Sequence, residues 1–126
     1  MTPAHAPRVL IVDDSAFMRS RIQRKLAEAG LEVAGEARDG KEAVELYGRL
    51  RPDLVTMDLT MRGQDGLSAS RTIVGADPKA RIVLFSLVDD PEALEAARAA
   101  GVRACVHKSR ADELVEALRR LLAEER

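Results

Sequence analysis

Asp13, Asp14, Asp58, Ser86 and Lys108 are the residues whose types and placement could do chemistry, because each closes or follows a short apolar run. Residues 9–12 run into Asp13 and Asp14, residues 54–57 deliver Asp58, residues 82–85 deliver Ser86, and residues 102–107 deliver Lys108. Three carboxylates within about 4 Å repel by roughly 1 kcal/mol per pair in water and about 4 kcal/mol at an effective dielectric of 20. A fold keeps them together where something positive fills the space between them. Mg²⁺ suits an all-oxygen site that also meets a phosphate, and Mn²⁺ is the alternative. Zinc would call for His or Cys, and neither is in place. Ser86 and Lys108 add a hydroxyl and a point cation for phosphoryl oxygens. A carboxylate is a competent nucleophile toward phosphorus once a metal offsets the incoming charge. No dinucleotide cofactor site is indicated, since Gly35, Gly40 and Gly48 lack phosphate-loop spacing.

These residues can converge only if the runs are neighbouring strands. Buried parallel strands read as continuous apolar segments, and open α/β sheets bind ligands beyond the carboxyl ends of their strands. Between the strands lie helical patterns. Asp14 is positioned to cap a helix over residues 15–29 with the stripe Met18, Ile22, Leu26 and Ala29, stopped by Gly30. Residues 31–37 read as a strand. Residues 40–50 read as a helix presenting Ala43, Val44, Tyr47 and Leu50, ended by Pro52. A loop over residues 62–66 precedes a weak helix over residues 67–74. Pro91 opens a helix that Gly101 closes. The last helix begins near Ala111 and shows Leu114, Val115, Leu118, Leu121 and Leu122 on one face. Five strands alternating with five helices predict a doubly wound five-stranded parallel sheet, with order 2-1-3-4-5 preferred. That order makes the first and third strands neighbours and brings Asp13, Asp14 and Asp58 together.

Composition narrows the function classes. At 126 residues the chain is one domain, with residues 1–7 read as a flexible tail and residues 8–126 as the domain. Twenty Lys and Arg nearly balance 21 Asp and Glu, so no broad field points to nucleic acid or anionic lipid. Phe17, Tyr47 and Phe85 are the only aromatics, too few for base stacking. No apolar run approaches the roughly 18 residues of a membrane span, and no signal-peptide core opens the chain, so a cytoplasmic location is expected. The single Cys105 excludes an internal disulfide.

The phrases Val-Leu-Ile-Val-Asp-Asp-Ser (9–15), Pro-Asp-Leu-Val-Thr-Met-Asp (52–58) and Asp65-Gly66 give the chain its resemblance to bacterial response-regulator receiver domains, from Arg8 to about Ala123. Residues 13–19 are similar to the chemotaxis branch, its single-domain regulator and the receiver of its methylesterase. The resemblance implies a flavodoxin-like (βα)5 fold and a non-enzymatic role in a phosphorelay. Asp58 would be the phosphoacceptor. Asp14 and Asp58 would bind Mg²⁺ directly, Asp13 largely through water, and the main-chain carbonyl of Thr60 would be a further ligand. Ser86 and Lys108 would engage the phosphoryl group. The donor would be a sensor histidine kinase, a phosphotransfer protein or a small acyl phosphate, and the output a protein target, with no nucleic acid or membrane involved. The rival readings are a Mg²⁺-dependent phosphohydrolase with an aspartate nucleophile and a degenerate receiver that binds without phosphorylation. Thr60, where such hydrolases commonly carry a second aspartate, argues against the first. The intact set Asp13, Asp14, Asp58, Ser86 and Lys108 argues against the second.

After Ser86 the chain departs from the family pattern. Leu87 replaces a small residue and is expected to crowd the site. Cys105 stands where a switching Tyr or Phe is usual, Ser109 replaces a proline, Arg110 a Phe, and Arg62 a proline. His107 reads as a structural residue, Cys105 as a small core residue, the Arg119-Arg120 pair as solvated surface, and His5 as part of the tail.

Overall fold

The computed structural model describes residues 6–61 and 65–124, so His5, Arg62 and most of the proposed tail lie outside the described residues. Among the described residues the elements are β1 (Arg8–Val12), α1 (Ala16–Glu28), β2 (Glu32–Ala37), α2 (Gly40–Leu50), β3 (Leu54–Met57), α3 (Gly66–Ala76), β4 (Ile82–Ser86), α4 (Pro91–Ala99), β5 (Ala104–His107), a 3₁₀ turn (Lys108–Arg110) and α5 (Asp112–Ala123). The strands form one parallel sheet in the order β2-β1-β3-β4-β5. No helix among the described residues is long and apolar enough to cross a membrane.

The apolar runs are continuous because successive side chains serve two cores. Val9 and Ile11 pack with Ile22, Leu26, Leu114 and Leu118 beneath α1 and α5. Leu10 and Val12 pack with Ala43, Ala69, Ile73 and Ala97 beneath α2, α3 and α4. Side chains alternate across a strand, so a sheet covered on both faces needs apolar residues at every position.

Several boundaries differ from the sequence expectation, each for a local reason. Ser15, not Asp14, caps α1: its hydroxyl accepts from the Met18 N–H at 3.1 Å, which leaves Asp14 exposed and available. The exception is α2, which spans Gly40–Leu50 as expected: Arg51, the residue before Pro52, leaves the helical conformation and closes it in the left-handed region (φ 47°). α3 starts at Gly66, one residue early, because Asp65 caps it by accepting the Ser68 N–H at 2.7 Å, and it runs on to Ala76, where the Asp77 N–H donates to the carbonyl of Ile73 at 2.8 Å. Val102 does not join β5, since its N–H is spent on the carbonyl of Ala97 at the end of α4. In α5 the buried face includes Ala117, while Val115 and Leu122 sit only partly buried. Arg119 is not plain solvated surface. It donates to the carbonyl of Ala29 at 3.0 Å and satisfies an orphan acceptor at the end of α1.

Candidate phosphoryl and metal site

β1 and β3 lie side by side with Val12 opposite Met57, so Asp13 and Asp58 leave the sheet together. Backbone bonds fix both departures: Asp13 N–H donates to Ala37 and Asp58 N–H to Val12, each at 3.0 Å. Gly66 closes the site from behind. Its N–H donates to the carbonyl of Leu59 at 3.1 Å, and a Cβ there would stand 2.0 Å from the carbonyl oxygen of Asp58. Only glycine permits that approach.

Carboxylate oxygens of Asp13, Asp14 and Asp58 lie within 4.8 Å of one another. Asp13 and Asp58 are buried at 1% and 4% exposure, whereas Asp14 faces solvent. Lys108, at the end of β5, places Nζ 2.7 Å from Asp13 Oδ2 and 3.5 Å from Asp58 Oδ2. One ammonium against three carboxylates leaves the cluster net negative. Burial pushes the Asp58 carboxyl up from 3.8 to about 6; Lys108 opposes this, Asp13 reinforces it, and the Thr60 N–H bond opposes it again. The donor set is all oxygen, clustered, undercompensated and open to solvent at Asp14, which fits a hard divalent cation such as Mg²⁺.

Arg19 braces the cluster from α1, donating to the carbonyl of Asp13 at 2.7 Å and to Glu36 of β2 at 2.9 Å. Gln23 also reaches Glu36. The one sequence signal for Arg19 is its place one helical turn beyond Ser15, where a long donor can reach back to the strand end.

Ser86 is buried at the end of β4, and its Oγ accepts from the Val88 N–H at 3.2 Å. Thr60 is exposed, with its N–H on Asp58. Leu87 does not fill the site: it is 68% exposed and stands in solvent. Cys105 is half-buried against the α2–α3–α4 core, and burial raises its thiol pKa. The structure therefore brings Asp13, Asp14, Asp58 and Lys108 into one cluster, and sets Ser86 at the adjoining strand end.

A doubly wound parallel sheet carrying three acids and a lysine beyond its carboxyl edge defines a class of signalling module that handles phosphoryl groups. The chain belongs to the response regulator receiver domain family, which it matches over residues 9–119. It is similar to the chemotaxis protein CheY of Thermotoga maritima, 44% identical over 115 residues that span 90% of this chain and 96% of that protein. A two-component response regulator of the LuxR family from Aurantimonas sp. SI85-9A1 superposes with a TM-score of 0.91 at 36% identity, covering 96% of this chain and 88% of that one. The CheX–CheY–BeF3–Mg²⁺ complex from Borrelia burgdorferi gives a TM-score of 0.90 at 26% identity, covering 94% and 90%. The protein is thus a CheY-like receiver of two-component signalling.

Proposed function

We propose that this receiver takes a phosphoryl group on Asp58 and thereby alters a face that binds a protein target. The observation that carries the reading is Asp58 itself, a buried strand-end carboxylate with a lysine at 3.5 Å and two further carboxylates beside it. With a pKa of about 6 the carboxylate is largely ionised above pH 7 and can act as a nucleophile. An Asp58 carboxylate oxygen forms the new bond to phosphorus while the donor's P–N or P–O bond breaks and its electron pair leaves with the donor. Lys108, already within reach of Asp58, pairs with the arriving phosphoryl oxygens. Ser86 is the hydroxyl that can turn toward the phosphoryl group once its Oγ releases Val88 N–H.

Asp13, Asp14 and Asp58 are the carboxylates that would hold Mg²⁺, with the Thr60 carbonyl as the further ligand that the receiver family implies. When bound, the ion would offset the charge of the carboxylates and of the incoming group. Mg²⁺ beside a CheY in the Borrelia complex supports the choice.

The donor is a sensor histidine kinase or a phosphotransfer protein, and the target a further protein; that a CheY forms a complex with another protein, CheX, in the Borrelia structure supports a protein-binding role. The domain is assigned to residues 8–126, with residues 1–7 as a tail, and acts in the cytoplasm without turning over other substrates. Intact-mass measurement after treatment with acetyl phosphate and Mg²⁺ tests the reading. One phosphoryl adduct on the wild type and none on Asp58→Asn is expected. An adduct on the variant would move the acceptor, and none on either would favour a phosphorylation-independent binding module.

A further inference from the structure

His107 makes more contacts than a bland strand residue needs. Ser86 pairs with His107 in the β4–β5 register, and strand alternation puts both on the α2–α3–α4 side of the sheet. The ring Nε2 lies 3.0 Å from the carbonyl of Leu87. At its other end, Nδ1 receives the Ser109 N–H at 3.1 Å and lies 2.7 Å from Ser109 Oγ. The Ser109 N–H makes Nδ1 an acceptor, which leaves Nε2 as the ring nitrogen that donates to the Leu87 carbonyl. One ring therefore ties the loop after β4 to the 3₁₀ turn that leads into α5.

The loop it holds is the one Ser86 must move. In the structure Ser86 Oγ is engaged by Val88 N–H at 3.2 Å. Turning the hydroxyl toward Asp58 breaks that bond and releases the N–H of the Leu87–Val88 peptide, whose carbonyl His107 holds. The neighbouring position on the same face of β5, Cys105, is small, and a cavity of about 290 Å³ opens beside it, bordered by Leu84, Val88, Leu94, His107 and Glu113. No bulky side chain at Cys105 can carry the movement across that space, whereas the His107 ring already spans the two loops.

We propose that His107 is a positioning residue for Ser86: through the Leu87 carbonyl it holds the loop in the form that turns the hydroxyl away, and through Ser109 it passes loop movement to the start of α5. The inference rests on the reading of Asp58 as phosphoacceptor. It makes the state of the β4–α4 loop and the state of the β5–α5 turn mutually dependent, because a single imidazole satisfies a polar group in each.

The test compares the full-length wild type with His107→Leu and His107→Gln, using acetyl phosphate and Mg²⁺. Gln keeps a donor near the position of Nε2, and Leu keeps comparable bulk without one. Adduct formation is followed by intact mass, and the backbone amides of Val88 and Ser109 by NMR before and after phosphorylation. His107→Leu is expected to take up the phosphoryl group about two- to tenfold faster, the range set by one net hydrogen bond. It should also lose the phosphorylation-induced shift at Ser109, while His107→Gln stays close to wild type in both. Equal rates in all three proteins, with the Ser109 shift intact in His107→Leu, would overturn the role of His107 alone. Leu and Gln variants displaced equally from wild type would overturn it as well, since bulk and not the donor would then matter. Failure of the wild type to take any adduct would instead overturn the Asp58 reading on which the inference stands.

Discussion

Lys108 Nζ is closer to Asp13, at 2.7 Å, than to Asp58, at 3.5 Å, so its stronger partner is Asp13 and not the proposed phosphoacceptor. Asp13 holds the lysine beside Asp58, while the Ser15 N–H occupies the other oxygen of Asp13 at 2.9 Å. Removing the lysine strands a buried carboxylate. Lys108→Met is therefore expected to destabilise the metal-free protein by about 3 kcal/mol at neutral pH, read from urea denaturation. Adding Asp13→Asn to that variant should recover much of the loss. Additive losses in the double variant would mean that the pair is not coupled.

The raised pKa of Asp58 carries a sign that can be checked. A carboxyl titrating at 3.8 unfolded and about 6 folded binds its proton more tightly in the native state. Its contribution is present below pH 3.8 and lost as pH rises through about 6, so this group lowers metal-free stability across that interval. The Asp58→Asn variant should be more stable than wild type above pH 6 and should lack this part of the pH dependence. At pH 8, Mg²⁺ at a hundred times its Kd should stabilise the wild type by about 2.7 kcal/mol. That gain should shrink below pH 6, where protons compete for the carboxylate, and should be smaller in Asp58→Asn throughout. Thermal melts with and without Mg²⁺ measure both effects.

Gly66 supports the site from its backbone. With a Cβ 2.0 Å from the Asp58 carbonyl oxygen, Gly66→Ala forces the β3–α3 connection away from the strand end. A cost of about 3 kcal/mol is expected in urea denaturation. The Mg²⁺-dependent rise in Tm should fall with it, because Asp58 moves with its own carbonyl. An alanine variant with wild-type stability and an unchanged Mg²⁺ response would show that the connection yields freely.

The fold was legible because its determinants are local in the chain. Apolar runs at residues 9–12, 54–57 and 82–85 mark the central strands, and Asp90-Pro91 with Gly101 brackets α4. The acid cluster followed from the strand order, since adjacency of β1 and β3 is enough to join Asp13 to Asp58. Other features depend on approaches between distant segments and leave no pattern in sequence. Arg119 reaches Ala29 across the α1–α5 contact, and His107 reaches Leu87 from the neighbouring strand. Leu87 departs from the expected crowding for a related reason: residue type gives bulk but not direction, and the loop after Ser86 turns that side chain into solvent. The Ser15 cap shows the same limit at short range, since Asp14 and Ser15 are both good cap residues and only the backbone decides between them.

The lifetime of the phosphoryl group depends on whether a side chain can orient an attacking water. An acyl phosphate hydrolyses when water is held in line with the phosphorus–oxygen bond, and a polar or acidic group near that line accelerates the step. Val88 follows Ser86 by two residues, with its N–H on the Ser86 hydroxyl, and its side chain has no hydrogen-bonding group. The phosphorylated wild type is accordingly expected to be long-lived. Val88→Glu introduces a carboxylate in the loop beside Ser86 and should speed dephosphorylation by about tenfold, a tenth or less of a fully positioned general base. Leu87→Ala is the control: with its side chain in solvent, truncation should leave both formation and decay of the adduct within about twofold of wild type. Decay of the intact-mass adduct after removal of acetyl phosphate measures all three proteins. An unchanged lifetime in Val88→Glu would show that water is oriented elsewhere in the site. A marked acceleration in Leu87→Ala would show that this side chain shields the phosphoryl group despite its exposure.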